Sequence, residues 1–344
     1  MRIALVTDAW FPQVNGVVRT WSHVRDECEA MGHEMLVIRP EQFRTFPLPR
    51  YPEIRLPWWP GPKMRRMLDE FEPEVIHIPT EGTLGLAGRR YCLRRTLPFT
   101  TSYHTQYAQY VKKYLRVPER FTYGLLRWFH GPAARTLVPT RSIRDELDAQ
   151  RFRNLIVWTR GVDTELFKPY GKELFNGLPR PVFGYIGRVA VEKNLDAFLS
   201  ADLPGSKVVV GDGPAKASMK RRYPDVHFPG FKHGEELARH YAACDVFVFP
   251  SRTDTFGVVL LESMACGVPV AAYPVAGPRD VVRDGVTGVL NEDIAVAARA
   301  ALELDPEACR EYALEFSWRR CAQMFLDATE PIPPERLSSA KGRP

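Results

Sequence analysis

Val246-Phe247-Val248-Phe249-Pro250-Ser251-Arg252-Thr253-Asp254-Thr255-Phe256-Gly257-Val258-Val259-Leu260-Leu261-Glu262-Ser263-Met264-Ala265-Cys266-Gly267-Val268-Pro269-Val270-Ala271-Ala272 holds a strand, a polar turn, a helix and a second strand in one run. The apolar run Val246–Phe249 reads as a strand buried on both faces, and it ends at Pro250. A helix begins near Gly257 and stops at Gly267, before the strand Pro269–Ala272. Amides at a helix start lack intrahelical partners, so the turn before Gly257 is an anion site with the helix dipole aimed at it. Asp254 lies at this positive end and Glu262 eight residues on, about 12 Å away if the span is fully helical. That spacing lets two carboxylates hold hydroxyls at the two ends of a sugar–diphosphate–ribose ligand. Two carboxylates alone more often mean a surface Asp and an ordinary helical Glu; the complete strand-turn-helix string favours the site.

The same alternation runs outward in both directions. Strand-like runs precede it at Ile3–Thr7, Met35–Ile38, Val75–Ile78, Phe99–Tyr103, Leu137–Pro139 and Leu155–Thr159, and restart at Val182–Ile186, Lys207–Val210 and Val226–Phe228. Strands alternating with helices give a parallel sheet covered on both faces. With 344 residues the chain has the length of two such domains. The reading is α/β, with two doubly wound, Rossmann-like domains over residues 1–165 and 170–315. A helix read across Glu307–Leu326 supplies a segment 316–330 that returns to the first domain, and a Pro-, Ser- and Lys-rich flexible tail covers 331–344.

Six cysteines without a C-x-x-C pair, and a start that turns acidic at Asp8, point to a reduced cytoplasmic protein without a signal peptide. The most apolar stretch, Phe256–Gly277, is broken by Glu262, Gly and Pro, so no membrane span is expected. Net charge is +6 and uneven: residues 1–170 carry 26 Lys and Arg against 18 Asp and Glu, the remainder 21 against 23. Such a basic half suits nucleic acid, an anionic membrane surface, or nothing specific. The absence of G-x-G-x-x-G after the first strand argues against a dinucleotide dehydrogenase.

The quoted stretch resembles the E-x7-E region of glycosyltransferase family 4, with Asp254 in place of the first Glu. Phe183-Gly184-Tyr185-Ile186-Gly187-Arg188-Val189-Ala190-Val191-Glu192-Lys193-Asn194 is similar to the family's G-R-x-x-x-x-K segment, and Ser102-Tyr103-His104-Thr105 to its S-x-H-T segment. The resemblance covers Met1 to about Leu326. It implies two domains facing across a cleft (the GT-B arrangement) and retaining transfer of a hexose from a nucleotide sugar. Asp254 and the backbone of Thr255, Phe256, Gly257 and Val258 are then expected on the donor sugar and β-phosphate, with Glu262 on the ribose. Arg188 and Lys193 clamp the diphosphate. Two fixed cations can neutralise it without a metal, and the sequence has no D-x-D triplet, so neither a metal nor another cofactor is expected. Asn15 and Gly16 follow the first strand and are carried over as donor-loop residues, Gly211, Gly213, Phe231 and Lys232 as loops around the base, and His104 as a polar group near the donor sugar. The catalytic set is thus His104, Asp254, Arg188 and Lys193.

Tyr107–Arg135 interleaves Lys112, Lys113, Arg116, Arg120, Arg127 and Arg135 with Trp128 and other aromatics, a mixture suited either to an anionic bilayer or to aromatics packed inward under a solvated charged face. The family's glycolipid-forming branches carry a similar stretch. The preferred reading is therefore a UDP-sugar donor, a diacylglycerol-type lipid acceptor and an enzyme peripheral on the cytoplasmic membrane face, with no nucleic acid partner. Alternatives are a GDP-mannose-dependent α-mannosyltransferase with a lipid or soluble acceptor and, outside enzymes, a basic nucleic-acid-binding module.

Overall fold

The computed structural model describes residues 1–13, 15–48, 51–104 and 118–339. They form two compact units, Met1–Thr159 with Trp318 onward, and Arg160–Ser317.

In unit 1 the strands are β1 (Arg2–Val6), β2 (Glu34–Ile38), β3 (Thr45–Leu48), β4 (Tyr51–Pro57), β5 (Val75–Ile78), β6 (Thr100–Ser102), β7 (Arg135–Val138) and β8 (Leu155–Val157). Six of them make a parallel sheet in the order β2-β1-β5-β6-β7-β8. Helices α1 (Gly16–Ala30), α2 (Gly61–Phe71), α3 (Thr83–Arg94), α4 (Glu119–His130) and α5 (Arg141–Ala149) connect them. One face packs Trp21, Val24 and Cys28 of α1 against Trp158, Trp318 and Phe325; the other packs Met64, Leu68, Leu84, Cys92 and Phe129. Each such buried side chain contributes about 1.5–3 kcal/mol.

Unit 2 repeats the plan with β9 (Val182–Ile186), β10 (Ser206–Val210), β11 (His227–Gly230), β12 (Val246–Phe249), β13 (Val270–Ala272) and β14 (Gly288–Leu290), again all parallel, in the order β11-β10-β9-β12-β13-β14. Its helices are α6 (Leu195–Leu199), α7 (Lys216–Arg222), α8 (Gly234–Ala242), α9 (Val258–Ala265), α10 (Pro278–Val281), α11 (Ile294–Ala301) and α12 (Pro306–Leu314). Strand order reverses between β1 and β5 in unit 1 and between β9 and β12 in unit 2, and open α/β sheets bind ligands outside the carboxyl ends of strands at such points.

Three features differ from the sequence reading. The single helix read across Glu307–Leu326 is two: α12 belongs to unit 2, and α13 (Trp318–Ala328) packs on α1 in unit 1. Phe316 closes the break, its carbonyl accepting from Val162 N–H. The segment read as a flexible tail is anchored where it starts: Ile332 is buried and its N–H donates to Glu74 O, and α14 spans Pro334–Ser339. Thirdly, the antiparallel hairpin β3–β4 is an element the alternation did not predict.

Candidate active site

At the reversal point of unit 2, β9 is followed by Gly187-Arg188 and β12 by Pro250-Ser251. A 3-10 turn, Val191–Lys193, brings Lys193 back over the edge, and Asn194 Nδ2 donates to Pro250 O at 3.1 Å. Lys193 Nζ then meets Asp254 Oδ1 at 2.6 Å, with both side chains about one-fifth exposed. Asp254 Oδ2 and Ser251 Oγ are buried and have no partner among the described residues. Arg188, which is exposed, follows the end of β9 on the same loop as Lys193, and its carbonyl accepts from Tyr185 Oη at 2.8 Å.

The turn then delivers Phe256 into the core and ends on Gly257 as N-cap of α9. Gly257 has φ +84°, a left-handed conformation that costs a glycine little, and no side chain caps the helix. Val258 and Val259 therefore open α9 without a side-chain cap. Because α9 starts at Val258, Asp254 precedes it, and only the second half of its separation from Glu262 follows helical rise. Glu262 is 1% exposed, and its Oε2 accepts from Tyr241 Oη on α8 at 2.8 Å. It ties α9 to α8, and one of its oxygens is already engaged by Tyr241.

The loops after β10 and β11 complete this edge. A Cβ on Gly211 would stand 1.9 Å from Gly187 O, so only glycine lets the two backbones pass. Gly213 N–H donates to Asp212, whose carboxyl is held below its ordinary value chiefly by its bond to Lys216. Phe231 is 63% exposed beside His233, and Lys232 pairs with Glu236 on α8.

Unit 1 treats its helix starts differently. Asn15 caps α1, its Oδ1 accepting from Val17 and Val18 N–H, which leaves Gly16 as the first helical residue; the Asn15 carbonyl is used internally. Asp8, to which sequence reasoning gave no role, is buried and accepts from Leu84 N–H at 2.8 Å, Gly85 N–H at 3.1 Å and Thr80 Oγ1 at 3.0 Å. The chain's own carboxylate thus fills the N-terminus of α3. Burial raises its pKa, partly offset by those hydrogen bonds, and the charge of Glu81 acts in the same direction as burial.

His104 follows β6, and its Nε2 accepts from Trp21 Nε1 at 3.0 Å. An indole N–H only donates, so that nitrogen carries a lone pair and the ring proton sits on Nδ1. Below it, His77 is fully buried between Thr100 Oγ1 and Ser102 Oγ, each 2.7 Å away, and burial lowers its pKa to about 3. A histidine inside the all-buried strand Val75–Ile78 was the available signal for it.

On α4, Phe121, Leu125 and Trp128 are exposed at helical spacing, with Arg120 over Phe121 and Arg89 stacked 4.0 Å from the Trp128 ring. Arg127 is turned inward, donating to Gln150 O. Lys112, Lys113 and Arg116 lie outside the described residues. No described helix is long and apolar enough to cross a membrane, and the six cysteines are free and buried.

Residues 14–166 match the Glycosyltransferase Family 4 model and residues 180–304 the model for glycosyl transferases group 1. A GDP-mannose-dependent alpha-mannosyltransferase of Mycolicibacterium smegmatis is 34% identical over 84% of this chain and 84% of its own. Sulfoquinovosyl transferase SQD2 of Arabidopsis thaliana is 31% identical over 98% of this chain and 74% of its own. Among solved structures, sucrose-phosphate synthase of Thermosynechococcus elongatus superposes with TM-score 0.73 at 21% identity, over 95% of this chain and 97% of that one. Anabaena HepE in complex with UDP does so with TM-score 0.70 at 16% identity, over 95% and 99%. These two establish the shared two-Rossmann GT-B fold. By sequence and by fold the chain belongs to glycosyltransferase family 4 and is a nucleotide-sugar-dependent hexosyltransferase.

Proposed function

We propose that the enzyme transfers mannose from GDP-mannose, with retention, to a lipid-linked acceptor. The carrying observation is the 34% identity, over 84% of both chains, to a GDP-mannose-dependent alpha-mannosyltransferase, with a second protein of that name from Mycobacterium tuberculosis at 31%. This moves the donor from the UDP-sugar preferred on motifs alone to GDP-mannose. The diphosphate sits at the uncapped start of α9, neutralised by Lys193 and Arg188 without a metal, and Asp254 exchanges part of its bond to Lys193 for a sugar hydroxyl. The bond from C1 to the diphosphate breaks, the bond from C1 to the acceptor oxygen forms on the same face, and the acceptor proton passes to the departing phosphate oxygen. His104, whose Nε2 lone pair is held by Trp21, is a positioning group and not the base.

Support for a lipid comes from the apolar, cation-flanked outer face of α4. A thermal-shift and turnover series with GDP-mannose, UDP-glucose and ADP-glucose tests the donor, since a ligand bound only by the native state raises its apparent stability. Response to UDP-glucose alone would return the donor to the second reading, which alpha-monoglucosyldiacylglycerol synthase of Streptococcus pneumoniae, 28% identical over 95% of this chain, favours. Sedimentation with neutral and anionic vesicles tests the surface. Replacing Lys112, Lys113 and Arg116 with Ser should weaken binding to anionic vesicles by about 3 kcal/mol at most, at about 1 kcal/mol per cation. Equal binding to both vesicle types would contradict the electrostatic part of the reading.

A further inference from the structure

We propose that Glu81, braced by His130, binds a hydroxyl of a polyhydroxylated acceptor at the edge of unit 1, which makes the acceptor headgroup a sugar or cyclitol and not a bare diacylglycerol. The inference rests on reading unit 1 as the acceptor side of a retaining glycosyltransferase.

Glu81 follows β5, on the carboxyl side of the sheet where strand order reverses between β1 and β5, the edge at which such sheets take ligands. Two carboxylates stand there. Asp8 is consumed, with its oxygens bonded to Leu84, Gly85 and Thr80 and 5% of the residue exposed. Glu81 is not: its side chain is 17% exposed, Oε1 meets His130 Nε2 at 3.2 Å, and Oε2 has no partner among the described residues.

His130 is 2% exposed, at the end of α4, and its other nitrogen meets Thr101 Oγ1 at 2.9 Å, which in turn meets Thr136 Oγ1 at 3.0 Å. A carboxylate oxygen only accepts, so His130 Nε2 carries a proton toward Glu81. The buried hydroxyl pair on β6 and β7 therefore locks the imidazole, and the imidazole locks one oxygen of Glu81, while the partly exposed side chain keeps the other without a partner among the described residues. A fixed, half-satisfied carboxylate is an acceptor for a neutral hydroxyl and repels phosphate. The attacking hydroxyl gives its proton to the departing phosphate, so the hydroxyl on Glu81 is a neighbouring one, and an acceptor with a single hydroxyl has nothing to place there.

Methyl α-mannoside and myo-inositol serve as acceptor probes, with dispersed dioleoylglycerol as the single-hydroxyl comparison. For Glu81→Gln, KM for whichever polyol probe the wild type uses should rise about tenfold, the loss of one charge-assisted hydrogen bond. Its kcat should stay within about threefold, and hydrolysis of GDP-mannose by water and the melting temperature should be unchanged. His130→Gln should give a smaller rise in KM. Saturation-transfer NMR of the same probes, in the presence of GDP, should show weakened contact in Glu81→Gln and needs no turnover, so a failed donor assignment leaves this arm intact. Unchanged KM and unchanged NMR contact would overturn the proposal. So would parallel loss of donor hydrolysis, or use of dioleoylglycerol with neither polyol bound.

Discussion

The two sheet edges are built from the same parts and prepared for opposite tasks. In unit 1 the helix starts beside the reversal point are already answered by the protein, α1 by Asn15 and α3 by Asp8. In unit 2 the corresponding helix α9 starts on a left-handed glycine with no side-chain cap, and Asp254, in the turn just before it, pairs with Lys193. A capped helix start has no use for phosphate, whereas an uncapped one beside Lys193 and Arg188 does. On the proposed reading, the difference favours unit 2 for the diphosphate and unit 1 for a neutral acceptor.

The sharpest way to break the comparison is to uncap unit 1. Asp8→Ala strips Leu84, Gly85 and Thr80 of an acceptor in the interior, and at about 1–3 kcal/mol per orphaned donor the loss should reach at least 3 kcal/mol in urea unfolding. A loss under about 1 kcal/mol would show that water or rearrangement replaces the carboxylate. The pKa of Asp8 is raised in the folded state, so its contribution is full below about pH 3.8 and is lost as pH rises through the folded value; Asp8→Asn should remove that dependence.

In unit 2 the matching changes act on turnover and not on folding. Arg188→Ala and Lys193→Ala should each cost about 100-fold in turnover, as loss of preorganised charge does. The Lys193–Asp254 pair is near the surface and worth about 1 kcal/mol or less to stability, so melting should move little. Full activity with either cation removed, or turnover abolished by chelator and restored by Mg²⁺, would contradict the metal-free clamp.

Smaller effects come from the imidazoles of unit 1. His77 has a folded-state pKa lowered to about 3, so its stabilisation is present above about 6.5 and is lost as pH falls from there through 3, at about 1.4 kcal/mol per pH unit. His77→Gln should flatten that limb of the stability curve; an unchanged slope would place the acid sensitivity elsewhere. Trp21→Phe removes the donor to His104 Nε2, a loss of about 1 kcal/mol in hydrogen bonding, and also shrinks a fully buried core side chain, so the melting temperature should fall along with kcat. Side-chain nitrogen NMR checks it directly, because the proton of His104 should cease to be confined to Nδ1.

Both sheets and the α9 turn were legible in the sequence because buried parallel strands such as Val182–Ile186 and Val246–Phe249 are unbroken apolar runs that need no partner to be recognised. The hairpin β3–β4 was not: Pro47, Pro52 and Pro57 disguise it, and as a separate two-stranded ribbon it lies outside the alternation. The break between α12 and α13 was invisible for a related reason, since the aromatic periodicity from Tyr312 to Phe325 runs through it while the two ends pack into different units. Asp8, Glu81 and His130 carry no local signature at all. Their partners lie between 29 and 77 residues away, and only the fold brings them together.

Calorimetric titration of GDP-mannose and GDP into the wild type and Lys193→Ala, in the presence of EDTA, tests the central assignment most directly. Tight binding of both ligands by the wild type without metal, weakened at least tenfold by the single substitution at unchanged melting temperature, is the predicted result. Binding that needs a divalent ion, or that the loss of Lys193 leaves untouched, would contradict the placement of the diphosphate at the start of α9.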